Sequence, residues 1–119
     1  MAAKEAKVSY DQEEDILHVY LGVSISDSFQ QGDYVIDFSK DNRIVGVEIF
    51  NASRNVFAGI QQPEELDIKK SLVSVKKALF GIHQERQLVW IGILFVMQMQ
   101  NKEQTQAMRI GIPHGIFSK

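Results

Sequence analysis

Residues 34–53, YVIDFSKDNRIVGVEIFNAS, decide the fold, because two alternating apolar runs flank a polar turn. The runs are residues 34–39 and 44–50, and the Asp-Asn pair between them tolerates the left-handed backbone of a tight turn. Side chains alternate along a strand, so the register can be predicted by matching like with like across the pair. The stretch predicts an antiparallel hairpin with an even loop of two or four residues.

The predicted register places Ser39 opposite Ile44. Three apolar pairs then share one face: Phe38 with Val45, Ile36 with Val47, and Tyr34 with Ile49. The other face is mixed, with Asp37 opposite Gly46 and with Glu48 further along. We expect that mixed face to be half exposed or covered by another element.

A short helix is predicted near residues 51–58, directly after the hairpin. Asn51 or Ser53 can accept a hydrogen bond from a free backbone N–H at the start of a helix, and Gly59 can end it.

The preceding segment completes a recognisable pattern. Residues 10–21, YDQEEDILHVYL, followed by the hairpin, resemble domain-of-unknown-function family 2283, a small bacterial and archaeal domain, over residues 8–53. The matching positions, in order, are Tyr10, Asp11, Asp15, Asp37, Gly46, Glu48, Asn51, Ala52 and Ser53. The resemblance implies a fold and no activity; some family members resemble partners in toxin–antitoxin-like gene pairs, which implies a protein partner. The chain departs from the pattern at Asn42, where a turn glycine is usual, and in its long C-terminal half.

Composition is that of an ordinary globular domain. The chain has 119 residues, 45% apolar and 24% charged, which predicts a single domain over residues 1–119. Within it we expect a hairpin unit, residues 8–58, and a C-terminal β extension packed on it, residues 64–119. Net charge is −2, divided as −5 (five Lys/Arg, ten Asp/Glu) over residues 1–59 and +3 (eight against five) over residues 60–119.

Several classes of protein are not favoured. The chain has no cysteine, so disulfides and thiolate chemistry are excluded. The first residues lack the apolar core of a signal peptide, and the longest apolar run, residues 88–97, is shorter than the roughly 20 residues of a spanning helix. We expect a cytoplasmic protein without a membrane role. The basic pairs at 69–70 and 76–77 lack aromatic platforms, so nucleic-acid binding is not favoured.

Three further strand segments and one ambiguous segment are predicted outside the central hairpin and residues 88–112. Residues 8–10 and 16–21 predict a pair of strands, and residues 22–32 a short irregular strand. Residues 66–82 are ambiguous: Ile68, Leu72, Val75, Leu79 and Ile82 have helical spacing, but Val73 and Val75 alternate with polar residues. We favour a strand for about residues 70–82, which with residues 88–99 and 105–112 gives a three-stranded meander. The predicted fold class is α+β, mainly antiparallel sheet, with the one short helix.

Both faces of residues 88–99, LVWIGILFVMQM, are apolar. A strand apolar on both sides must be covered on both sides, and a small chain with little helix has few elements to do so. We therefore predict a homodimer or higher homo-oligomer, with these interface residues: Leu88, Trp90, Ile91, Ile93, Phe95 and Met97.

Candidate chemistry is sparse. Asp37 and Glu48 share a face of the hairpin and His18 lies on a neighbouring predicted strand, so these three are candidate ligand-binding residues. No catalytic residue, metal ligand set or cofactor is predicted; the acidic segment 11–15 lacks the spacing of a calcium loop.

The leading hypothesis is a non-catalytic interaction or assembly domain: a homo-oligomer that could also bind a protein partner or have an antitoxin-like role. The alternative is a ligand-binding protein or hydrolase that uses the face of Asp37 and Glu48.

Overall fold

The computed structural model describes residues 3–57, 65–75, 77–99 and 102–113, with the backbone alone for residues 65–68 and 98–99. Its elements are β1 Lys4–Asp11, β2 Ile16–Tyr20, β3 Asp27–Gln31, β4 Tyr34–Phe38, β5 Ile44–Phe50, α1 Ala52–Val56, α2 Glu65–Val73, β6 Lys77–Gln84, β7 Leu88–Met99 and β8 Lys102–Pro113. The strands form one antiparallel sheet in the order β3-β4-β5-β2-β1-β6-β7-β8. The fold is therefore largely β, and the predicted α+β class holds only loosely because both described helices are short.

The central hairpin, β4 and β5, has most of the predicted register. Ile36 pairs with Val47, Asp37 with Gly46, and Tyr34 with Ile49, as the apolar alternation requires. The predicted even loop is wrong: a bulge after Asp37 sets Phe38 opposite Ile44 instead of Val45. The loop then has five residues, and Asn42 takes the left-handed conformation (φ 63°) that a turn glycine would otherwise supply.

The N-terminal strand connects the two halves of the sheet. Its later residues, from Lys7 to Asp11, pair with β2 as predicted, while Lys4, Glu5 and Ala6 pair with β6. β2 in turn lies beside β5, with Leu17 opposite Ile49 and Val19 opposite Val47. β1 thus pairs with β6 at its start and with β2 at its end, which joins the two halves into one sheet.

The ambiguous segment is divided between a helix and a strand. The prediction of a strand from residue 70 is wrong for its first part, because α2 continues to Val73; the strand begins at Lys77. Leu72 is 1% exposed and packs in the core, so helical spacing was the better guide there. The predicted three-stranded meander is confirmed, since β6 pairs with β7 and β7 with β8, all antiparallel.

The curled sheet forms a half-barrel around its core. The side chain of Gln31, at the β3 edge, donates a hydrogen bond to the carbonyl oxygen of Gly111 on β8 at 2.9 Å, which brings the two ends of the sheet together. Inward residues of both halves join the helices in one cluster, which includes Leu17, Ile36, Val47, Val56, Leu72, Ile91, Ile93 and Phe95. The predicted short helix is confirmed as α1, while Gly59 and the predicted boundary between the two units lie outside the described residues.

Candidate functional site

A buried carboxylate lies at the centre of the outer face of the N-terminal half. The Asp37 side chain is 3% exposed, and its Oδ2 atom lies 3.2 Å from Nε2 of His18. The hydroxyl of Ser28 donates a hydrogen bond to the other oxygen, Oδ1, at 2.9 Å. Side chains from β2, β3 and β4 thus form one cluster in which both Asp37 oxygens have partners, as a buried polar group requires.

The contact with Asp37 orients the His18 ring. A carboxylate oxygen can only accept a hydrogen bond, so Nε2 carries the proton and Nδ1 of the neutral ring keeps its lone pair. The ring also stacks on Tyr20, with 4.7 Å between centroids and an interplanar angle of 29°. The His18 side chain is 29% exposed, so the oriented ring is partly accessible from outside the cluster.

Glu48 lies on the same face as predicted, opposite His18 on the neighbouring strand and half buried. The structure therefore places all three candidate ligand-binding residues on one face, with Glu48 on β5, the strand between those of Asp37 and His18. Within the described residues, no hydroxyl hydrogen-bonds to His18, because Ser28 donates to Asp37. The cluster consequently lacks the nucleophile–histidine contact on which covalent hydrolysis depends.

Asp15 has a structural role that the sequence did not reveal. Its carboxylate accepts hydrogen bonds from the Tyr10 hydroxyl at 2.6 Å, from the Ser53 backbone N–H at 3.0 Å and from the Ser53 hydroxyl at 2.6 Å. The start of α1 is thus capped from the β1–β2 turn, whereas Asn51 makes no side-chain cap. The sequence signal was available, since Tyr10, Asp15 and Ser53 are all among the positions that match the family pattern.

A second carboxylate, that of Asp33, contacts two side chains of α1. The Asn55 amide donates a hydrogen bond to it at 2.9 Å, and the Arg54 guanidinium lies 3.1 Å away. The hydrogen bond from Asn55, followed by those from Asn51 and Arg54, lowers the pKa of Asp33. Burial, followed by the charge of Asp33, raises the pKa of Tyr34.

In the described part of the chain, no three His, Asp or Glu side chains are grouped as a metal site would require.

An apolar groove crosses the outer face of the C-terminal meander. Gly81 and Gly92, which pair with each other, form its floor, and Gly92 also pairs with Arg109 on β8. Two rows of side chains form its walls: Leu79, Leu94 and Ala107 on one side, and His83 and Trp90 on the other. The groove has a volume of about 490 Å³. We call it the outer groove.

The Trp90 ring closes one wall of the outer groove because residue 111 is glycine. A Cβ atom at Gly111 would stand 3.0 Å from the indole, so any side chain there would displace the ring. The Arg109 guanidinium lies over the ring, 4.9 Å from its centroid, and is exposed. The meander therefore presents an apolar surface with a cation at its β8 end.

The predicted interface residues are divided between the two faces of β7. Ile91, Ile93, Phe95 and Met97 are at most 2% exposed and belong to the core of the single chain. Trp90 is half buried on the outer face, and Leu88 is 36% exposed at the start of the strand. The inner face is thus covered by the chain itself, and the surface that another molecule could reach is the outer face.

The fold and site together define a small antiparallel half-barrel domain with an outer apolar groove. Within it, residues 7–53 match the model of the family described as Protein of unknown function (DUF2283), which confirms the resemblance over β1 to the start of α1. No curated protein and no solved structure matches the chain. Among the described residues, no helix is both long enough and apolar enough to cross a membrane.

Proposed function

We propose that this protein is a non-catalytic association domain that assembles with copies of itself through the outer groove. The observation that carries the proposal is the outer face of β7, where Trp90, Gly92 and Leu94 line a groove between apolar walls. Apolar grooves on small proteins are typical of surfaces that bind other molecules. The Asp37 cluster gives weaker support for catalysis, because its serine is bound to the carboxylate and not to His18.

The test is the mass of the chain in solution with and without a charge in the groove. Leu94 is half buried in the groove wall, so Leu94→Lys should prevent a partner from covering it. We expect light scattering to give a multiple of the 13.5 kDa chain mass for the native protein at micromolar concentration and a single-chain mass for the variant.

Val23 provides a matched control, because it is 51% exposed in the loop before β3. Val23→Lys makes a similar change from apolar to charged and should keep the native mass. A native protein of single-chain mass would contradict the proposal. So would a Leu94→Lys variant that assembles like the native protein.

A further inference from the structure

Arg109 limits what can cover the outer groove. The groove is lined by apolar residues and glycines together with Arg109 and His83, and none of its described lining residues is acidic. Arg109 has no ion-pair partner within the described part of the chain. An apolar surface laid over the groove would remove water from the guanidinium, which is unfavourable unless the covering surface supplies an anion. The occupant must therefore combine apolar groups with an anionic group.

The outer groove of a second copy does not satisfy this requirement. Two grooves packed on each other would bring the two copies of Arg109 and His83 into one interface, and the described groove lining offers no acidic residue to it. Juxtaposed like charges disfavour an interface. Groove-on-groove packing is therefore not the expected mode of assembly.

The outer face of the N-terminal half has the complementary chemistry. Glu48 lies there between His18 and Val35 of the adjoining strands, and the next register pair on that face is Ile16 with Phe50. These apolar side chains, His18 and Glu48 are all half buried, so the patch is an acid with His18 on one side and partly exposed apolar side chains around the rest. Residues 1–59 carry a net charge of −5 and residues 60–119 carry +3, which favours contact between unlike halves.

We infer that, in the self-association proposed above, the Glu48 patch of one copy covers the outer groove of the next, with the Glu48 carboxylate paired to Arg109. The inference rests on the proposed function and names the surface that fills its groove. Patch and groove lie on different halves of a sheet whose ends meet through the Gln31–Gly111 hydrogen bond, so they face different directions. If each pair of copies makes one such contact, the interface is heterologous and produces a ring or an open chain, whereas two reciprocal contacts produce a closed dimer.

The test uses charge reversal and complementation. Arg109→Glu and Glu48→Arg should each weaken association by at least about tenfold, as measured by sedimentation equilibrium. A mixture of the two variants restores opposite charges at every contact between unlike variants. There, Arg109 of the Glu48→Arg variant meets Glu48 of the Arg109→Glu variant, and the two substituted residues also have opposite charges. We therefore expect the mixture to regain the native mass distribution, which also shows that both variants are folded.

The control is Glu13→Arg, which makes the same change of charge in the exposed turn after β1 and should leave the mass unchanged. The inference is overturned if either reversal assembles like the native protein, or if the mixture stays dissociated. These outcomes are separate from the failure of the proposed function. If Leu94→Lys dissociates but Arg109→Glu assembles normally, the groove remains the interface. The pairing of Arg109 with Glu48 is then rejected.

Discussion

Asp37 lies directly opposite Gly46 on the neighbouring strand, and its Oδ2 atom stands 3.0 Å from the position that a Cβ atom of residue 46 would occupy. The backbone oxygen of Val19 is nearly as close to that position, at 3.2 Å. The absence of a side chain at residue 46 therefore leaves the space in which the carboxylate is buried next to His18.

We expect Gly46→Ala to destabilise the protein by about 1–3 kcal/mol, because the added methyl group displaces the carboxylate from its hydrogen bonds. Urea unfolding followed by circular dichroism measures the loss. Stability equal to that of the native protein would show that the close approach at Gly46 has no energetic consequence.

Asp15→Ala should destabilise the fold by about 2–3 kcal/mol, because the Tyr10 hydroxyl and both donors of Ser53 lose one charged acceptor. Tyr10→Phe, which removes one of these hydrogen bonds, should lose about 1 kcal/mol. Asp11→Ala is the control: this exposed aspartate accepts one local bond, from the Glu14 N–H, and its loss should change stability by about 0.5 kcal/mol or less. A larger effect at Asp11 than at Asp15 would contradict the capping role.

Neutral His18 should have its proton on Nε2, because the buried Asp37 carboxylate accepts from that atom. Long-range proton–nitrogen correlation spectra at alkaline pH measure the tautomer directly. His83 is the internal comparison: its side chain is 69% exposed and Glu85 lies 3.5 Å away, so a mixture of tautomers is expected there. A His18 ring protonated mainly on Nδ1 would contradict the contact.

The stability of the native protein should depend on pH through Asp33. Its pKa in the folded state is lowered by the hydrogen bond from Asn55, so the ionised form is favoured by folding. The resulting stabilisation is fully present above the unfolded pKa, the ordinary aspartate value of 3.8, and is lost as pH falls through the lower folded pKa.

Asp33→Asn should therefore reduce stability at neutral pH and flatten its decline in acid, as measured by urea unfolding across the acid range. Asp41→Asn is the control, because Asp41 and Arg43 form an exposed pair that should contribute little. An unchanged slope in acid for Asp33→Asn would reject the linkage.

Local alternation was sufficient to predict several elements. Apolar residues at every second position, together with a short loop, predicted Ile36 opposite Val47 and Tyr34 opposite Ile49. Strand-like segments of matching length between polar gaps predicted the meander of β6 to β8. The bulge after Asp37 was not predictable in this way, because it inserts a residue without changing the apolar pattern. The segment before β6 fitted both a helix and a strand, and packing of Leu72 into the core decided it.

The candidate site was only partly predictable. Asp37 and Glu48 were expected on one face because both belong to the same hairpin, but their contact with His18 depends on β2 lying beside β5. The apolar character of β7 was evident, whereas its assignment to two environments was not: Ile91 lies in the core and Trp90 on the outer surface. The outer groove itself needed the glycines of two strands in one register.

By itself, the sequence determined the features that depend on neighbours along the chain: the central hairpin, the meander, the short helix α1 and the segment that matches the family. Only the tertiary structure decided which strands lie side by side, that the inner face of β7 is covered within one chain, and where Arg109 meets Trp90. The physical reason is that alternation specifies the two faces of a strand but not what packs against each. That depends on contacts between residues far apart in the chain, as between Gln31 and Gly111.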